Sequence, residues 1–267
     1  MKRYDLMGIL LLYGNDYITQ KGNRMKKFGF TLAIIIILIS GSLAFATELK
    51  PSIIPEKGEE YAEETEKISD PIEGFNRVMF VFNDKVYFYV LKPTAKGYKA
   101  VVPEQARVSV RKFFTNVSMP IRFTNCLIQG KMKGAGTELS RFAINTTVGI
   151  LGLFDPAKSY FSLSKYDEDF DQSLGYYCID PGFYIVWPLL GPSSARGTVG
   201  LVGDALVDPA TYLLELWPDY IGVGVFQVVN ETSLTLGEYE DLKKAAIDPY
   251  VAVRNAYFQY RKNKVNE

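Results

Sequence analysis

The sequence contains no histidine and only two cysteines, and its 30 basic residues balance 30 acidic ones to a formal net charge of zero. Each shortage removes a class of function. Without imidazole there is no Ser-His-Asp triad, no Cys-His nucleophile and no zinc or iron site that relies on histidine. Two cysteines are too few for a four-thiolate metal centre. A chain with no basic excess lacks the cationic face that phosphates demand, so nucleic acid is not an expected partner. Catalysis by carboxylates, lysine or tyrosine stays open. What the chain has is apolar mass: 267 residues, 48% hydrophobic and 14% aromatic, enough for a sizeable core.

That mass is unevenly distributed. Met25-Lys26-Lys27 precedes an uncharged stretch of 19 residues, Phe28 to Ala46, that closes on Ala44-Phe45-Ala46. A charged start, an apolar run and an Ala-x-Ala site (residues 25–46) make a secretory signal, with cleavage expected between Ala46 and Thr47. The same length approaches the ~20 residues that span a bilayer, so an uncleaved anchor is the alternative. Residues 1–24 add nothing to such a signal and read as an upstream or extended start outside the fold. Removing residues 1–46 takes six basic and two acidic side chains, leaving 24 against 28, so the mature chain is mildly acidic. Residues 47–69 hold much of the excess, with Glu59, Glu60, Glu63, Glu64 and Glu66 behind Pro51 and Pro55, and read as an extended acidic tether. Export also permits a disulfide between Cys126 and Cys178. They stand 52 residues apart, and a bridge would contribute about 3–4 kcal/mol through loop closure. Two separate buried thiols are the other reading.

From Asp70 onward helical punctuation dominates. Asp70-Pro71 supplies an N-cap acceptor and a first-turn proline. Between Phe75 and Leu91, 12 of 17 residues are apolar, so this helix has to be buried or to face lipid. Pro93 is expected to end it. Further helices are expected from Pro103, from Met119 to Gly130, and from Thr137 to Val148 with Leu139, Phe142, Ala143 and Ile144 inward. One more runs from Phe226 to Ala246. A last one, capped by Asp248-Pro249, runs to about Lys262 with Val251, Val253, Tyr257 and Phe258 inward, leaving 263–267 as a polar tail. Residues 149–203 differ: rich in glycine, proline and aromatics, they suit neither a central strand nor a regular helix. Such a segment lines a cavity, meets a membrane, or forms a long buried loop.

The chemical motifs are weak. Asp167-Glu168-Asp169-Phe170-Asp171 begins like a calcium loop, but Gln172 and Cys178 stand where glycine and glutamate are required. It reads as a solvated acidic turn. Gly130-Lys131-Met132-Lys133-Gly134-Ala135-Gly136-Thr137 sets two lysines before a helix, where a phosphate group could sit, without the ending of a P-loop. A helix-to-helix turn is the plainer reading. Asn116, Asn145 and Asn230 each begin an Asn-x-Ser/Thr triplet.

Several segments, in order, resemble one family. Asp70-Pro71-Ile72-Glu73-Gly74-Phe75-Asn76-Arg77, then Phe82-Asn83, is similar to the opening of the VacJ/MlaA family of outer-membrane phospholipid-transport lipoproteins. Arg141-Phe142-Ala143-Ile144-Asn145-Thr146-Thr147-Val148-Gly149 and Gly152-Leu153-Phe154-Asp155 continue it. Glu168-Asp169-Phe170 with Gln172, Gly182-Phe183-Tyr184, Pro188-Leu189-Leu190-Gly191-Pro192-Ser193 and Asp248-Pro249-Tyr250-Val251-Ala252-Val253-Arg254 complete it.

The resemblance implies an all-α, ring-like, multi-helix single domain over residues 70–262, with the glycine/proline-rich segment lining an amphipathic channel. Its implied function is a passive conduit that takes mislocalised phospholipid from the outer leaflet of the outer membrane and maintains lipid asymmetry. The implied partners are a trimeric porin and a soluble periplasmic lipid carrier that feeds an inner-membrane ABC transporter; no cofactor and no metal are implied. The channel or motif candidates are Asp70, Pro71, Asn76, Arg77, Phe82, Asn83, Arg141, Phe142, Asn145, Thr146, Gly149, Gly152, Asp155, Gly182, Tyr184, Pro188, Gly191 and Pro192. Two departures stand out. Ala46-Thr47 occupies the place of the family's lipid-bearing cysteine, and Asp171 and Gly197 stand where a glycine and an acidic residue are expected. A porin-associated scaffold and a lipid-modifying enzyme are the alternatives, the latter weakened by the missing histidine and nucleophile elbow.

Overall fold

Aspartate, proline and glycine punctuate the chain, and helices fill the intervals. The structure, a computed structural model of the chain, describes residues 68–213 and 217–267. All of these fall within one compact unit. The expected signal, the Ala46–Thr47 cut and the acidic tether lie outside the described residues. Among the described residues the fold is all-α apart from one small hairpin. Its helices are α1 (Glu73–Val86), α2 (Lys92–Val101), α3 (Glu104–Val117), α4 (Met119–Ile128), α5 (Met132–Thr147), α6 (Pro156–Ser159) and α7 (Phe170–Tyr176). Strands β1 (Tyr184–Trp187) and β2 (Gly191–Ser194) follow. Then come α8 (Ala195–Val207), α9 (Pro209–Leu213), α10 (Trp217–Leu234), α11 (Glu238–Ala245) and α12 (Pro249–Asn266).

Pro93 does not stop the first helix. A π-turn over Tyr87–Leu91 joins α1 to α2, and the Lys92 N–H reaches back to the Tyr87 carbonyl. In a regular α-helix the proline ring would press on the carbonyl four residues earlier; the wider turn relieves that contact. The expected Phe226–Ala246 helix is two helices, broken at Gly237 with φ +110°, a conformation that glycine alone adopts readily. At the C-terminus the expected polar tail is helical. Residues 263–266 extend α12, and the Lys264 carbonyl accepts from Gln172 Nε2 at 3.1 Å.

Residues 149–203 are more ordered than the sequence suggests. β1 and β2 pair antiparallel, Tyr184 opposite Ser194 and Trp187 opposite Gly191. A two-stranded ribbon has open edges, which is why Pro192 is tolerated in it. α1 packs on β1, and α12 packs on β2 and α7. The apolar core sits there: Tyr184, Val186, Tyr250 and Tyr257, flanked by Ile68, Met79, Phe80, Val251 and Phe258. Tyr184 meets the rings of Tyr250 and Phe258, each at 6.0 Å between centroids.

Elsewhere the interior is polar. α4 packs on α5, α8 on α7, and α10 against α2 and α3. Among the described residues, buried polar and charged side chains outnumber buried hydrophobic ones. α5 departs from the expected orientation. Its buried stripe is Gly134, Ala135, Glu138, Arg141 and Asn145, while of the residues expected inward Leu139 and Ala143 are exposed and Phe142 and Ile144 half-buried. The stripe keeps helical spacing, but the face turned inward is the polar one. No helix among the described residues is long and apolar enough to cross a membrane.

Candidate functional site

The motif residues gather into two separate sets. The first joins α1, the hairpin and α12. Asn76 is fully buried, and its amide substitutes for a strand of backbone: Nδ2 donates to the Tyr184 carbonyl at 2.9 Å, and Oδ1 accepts the Val186 N–H at 2.8 Å. The second Nδ2 hydrogen goes to Asp70 Oδ1 at 2.8 Å. Two turns further along, Asn83 repeats the pattern, donating to the Trp187 carbonyl at 2.9 Å and accepting from the Leu189 N–H at 2.7 Å. A helix thus holds a hairpin through two amides seven residues apart, on one face. Asp70 does not cap α1, which starts at Glu73; its Oδ2 instead accepts from the Tyr250 hydroxyl and from Arg254. Arg77 bridges Glu73 and Asp248 and lies 4.4 Å over the Tyr250 ring. Asp248 caps α12 as expected, and Arg77 holds its carboxyl below the usual carboxylate range.

The second set joins α4, α5 and the loop after it. Arg122 Nε donates to Glu138 at 2.7 Å, and the other Glu138 oxygen accepts the Tyr166 N–H at 2.9 Å. Arg141 pairs with Asp155 at 2.9 Å, and Asn145 donates to the same carboxylate at 2.9 Å. Burial opposes the Asp155 charge, but the bonds from Asn145 and Arg141 outweigh it and hold this carboxyl below its ordinary value. Two glycines permit the turn. A Cβ at Gly149 would lie 2.5 Å from the Asn145 carbonyl oxygen, and Gly152, at φ +91°, packs on the Asn116 side chain. Asn116 in turn donates to Thr146 at 2.9 Å.

Remaining candidates lie apart. Phe82 is 44% exposed on the outer face of α1, Phe142 is half-buried, and Pro71 and Gly182 are exposed. Pro188, Gly191 and Pro192 shape the hairpin turn and its second strand. Cys126 and Cys178 are free thiols, not a bridge: the first is buried and the second exposed. Asn116, Asn145 and Asn230, the heads of the three triplets, are all buried. Lys131, considered above for a phosphate, pairs with Glu168 at 2.7 Å.

The acidic run is not a solvated turn. Asp169 and Gln172 form a reciprocal capping box at the start of α7, a spacing visible in the sequence. Glu168 and Asp171 are buried. Asp171 accepts from Arg196 at 2.6 Å and also pairs with Arg261, which grips Asp169 as well. Arg196 finds its acid on α7, while a Cβ at Gly197 would come within 2.6 Å of the Tyr257 hydroxyl. Beside this network lies Asp204, bonded by Asn125 Nδ2 and the Phe170 N–H, each at 3.0 Å. Burial, and then the charge of Asp169, push its carboxyl well above the usual range.

Outside these networks many large apolar side chains lie on the surface. Tyr89 is 78% exposed, Val101 82% and Tyr160 82%, and Val78, Val81, Val90, Ile150, Leu151, Phe154 and Phe161 join them. Polar groups inward and large apolar groups outward is the arrangement of a protein whose surroundings are not only water.

Comparison with known proteins agrees. The family model described as MlaA lipoprotein matches residues 68–264. The intermembrane phospholipid transport system lipoprotein MlaA of Haemophilus influenzae is 35% identical over 208 residues, covering 74% of this chain and 80% of that protein. The protein of the same name from Escherichia coli K12 is 32% identical over 194 residues, covering 72% and 76%. An uncharacterized protein of Rickettsia conorii is 33% identical over 200 residues, covering 74% and 79%. A solved structure, from work on the structural basis for maintenance of bacterial outer membrane lipid asymmetry, superposes with a TM-score of 0.65 at 33% identity. It covers 74% of this chain and 100% of that chain.

Proposed function

The chain belongs to the MlaA lipoprotein family, and on that premise we propose that it transports phospholipid in the cell envelope and maintains outer-membrane lipid asymmetry. It acts as a passive conduit that takes mislocalised phospholipid from the outer leaflet. It passes that lipid to a soluble periplasmic carrier for return through an inner-membrane ABC transporter, and sits beside a trimeric porin. The names of its relatives support the substrate, and the inverted packing supports the surroundings. That packing is the observation that carries the reading: α5 buries Glu138, Arg141 and Asn145 and turns Met132 and Leu139 outward, toward a medium of acyl chains. The buried carboxylates Glu138 and Asp171 and the half-buried Asp155 are each held by an arginine, an arrangement that favours a structural role over proton transfer.

The test is deletion of the gene in its own host, followed by chemical labelling of amine headgroups at the cell surface. A conduit predicts outer-leaflet phospholipid that rises on deletion and falls when the gene is restored. An unchanged outer leaflet would overturn the conduit.

A further inference from the structure

Between the π-turn and α11 lies an open cavity of about 440 Å³, lined by Phe88, Lys92, Glu240, Lys243 and Lys244. Two elements far apart in sequence converge on it. The wide π-turn brings Phe88 to the cavity, and π-turns recur at functional sites because they re-aim side chains without breaking a helix. The Lys92 and Lys243 ammonium groups both stand over the Phe88 ring, at 5.0 and 4.9 Å from its centroid. Each ammonium has three donors. Lys92 gives one to Glu240 at 2.6 Å and Lys243 gives one to Asp84 at 2.7 Å. Lys244 is 78% exposed and has only a long contact, 3.5 Å, to the equally exposed Asp241. The lining thus holds three lysines and one carboxylate, Glu240, while Asp84 and Asp241 lie beside it as the partners of Lys243 and Lys244. Lys96 and Lys99 continue from Lys92 along α2 at helical spacing, both exposed. Next to Phe88, Tyr89 and Val90 are 78% and 60% exposed, so the charged cavity borders the outward apolar surface. Lysines at the edge of an apolar band stand at the level of lipid headgroups.

We propose that this cavity binds the headgroup of a zwitterionic glycerophospholipid. The phosphodiester sits among Lys92, Lys243 and Lys244, the headgroup amine lies toward Glu240 and Asp241, and the acyl chains run over Tyr89 and Val90. The proposal rests on the phospholipid-transport reading and goes further by assigning a place and a headgroup class. Each of the three lysines is already matched by a carboxylate, so an incoming phosphate that brings its own amine fits better than a phosphate alone.

The experiment is calorimetric titration of the purified full chain in non-ionic detergent. The probes are dihexanoyl phosphatidylethanolamine, dihexanoyl phosphatidylglycerol, glycerophosphoethanolamine and inorganic phosphate. The wild-type chain is expected to bind the ethanolamine lipid most tightly. The Lys243→Gln/Lys244→Gln variant is expected to bind it at least about tenfold more weakly, as loss of charge-assisted bonds to phosphate requires. Glu240→Gln is expected to reverse the preference toward phosphatidylglycerol, a readout that mere unfolding would not produce. Unchanged ethanolamine-lipid affinity in the double variant, with the wild type binding lipid, overturns the cavity assignment alone. Wild-type chain that binds no lipid overturns the transport reading and the cavity together. Inorganic phosphate binding as tightly as lipid assigns the cavity to a free anion and overturns the lipid.

Discussion

The region around the hairpin and the region around α5 solve the same problem by opposite means. Where α1, the hairpin and α12 meet, aromatic rings fill the interior and two asparagines, Asn76 inside it and Asn83 at its edge, supply the polar bonds to the hairpin. Where α4, α5, α7 and α8 meet, the interior is made of guanidinium–carboxylate pairs: Arg122–Glu138, Arg141–Asp155 and Arg196–Asp171. Burying such pairs is expensive in solvation, and packed hydrophobics of the same volume are often as stable. Charges inside make sense when the outside of the same helices is given to apolar contact, because the polar side chains then have nowhere else to go. The hairpin region thus rests on packing and the α5 region on complementarity, and the two should fail differently.

The largest expected effect is in the charged region. Glu138 is fully buried and serves Arg122, the Tyr166 N–H and, at 3.9 Å, Arg141. Glu138→Ala leaves a buried guanidinium without its acid and should cost about 3–5 kcal/mol. Chemical denaturation of the detergent-solubilised chain would measure it, and a loss below about 1 kcal/mol would place this pair among ordinary surface pairs. In the hairpin region Asn76→Ala strands the Val186 N–H and the Tyr184 carbonyl in a closed interior, for an expected loss of about 3 kcal/mol. Asn83 makes the same bonds half in solvent, so Asn83→Ala should cost about 1 kcal/mol. Equal losses at the two positions would show that burial does not set their weight.

Acid separates the groups further. Asp155 has a native-state carboxyl held below the ordinary value of about 3.9 by Asn145 and Arg141. Its contribution is therefore present above that pH and is lost as pH falls toward the native-state value. Asp204 has the opposite sign. Its native-state carboxyl is raised by burial and by Asp169, so the unfolded chain releases this proton more easily and rising pH costs stability. Asp204→Asn keeps an oxygen for Asn125 and Phe170 and removes that cost. Its unfolding midpoint should exceed wild type at pH 7, with the gain vanishing by about pH 4. A midpoint lowered at pH 7 would mean the negative charge is needed there.

How much of this could be read in the sequence follows from the range of each interaction. The Asp248-Pro249 start of α12 was legible because cap and helix are neighbours in the chain. So was the capping spacing of Asp169 and Gln172, although the acidic run around it reads as solvated until Arg196 and Arg261 arrive from afar. Asn76 looks like one more polar residue in an apolar helix; its backbone partners on the hairpin lie more than 100 residues away. The orientation of α5 was not legible in principle. Periodicity marks an apolar stripe without saying whether core or lipid receives it, and Leu139 and Ala143 fit either reading. The family motifs did not reveal that their positions fall into two separate sets.

The smallest effect on stability should come from the outer face itself, and for that reason it is the sharpest test of the contrast. Val78, Val81 and Tyr89 are 61%, 49% and 78% exposed. Replacing all three with serine removes apolar surface that touches little of the fold, so the denaturation midpoint should move by no more than about 0.5 kcal/mol per site. Retention on phospholipid vesicles in a flotation assay should fall steeply, because each side chain contributes roughly 1–2 kcal/mol when it leaves water for an apolar phase. The paired outcome matters more than either number. Stability kept with membrane retention lost assigns these residues to the surroundings, whereas stability lost with retention kept would mean that they pack against the protein.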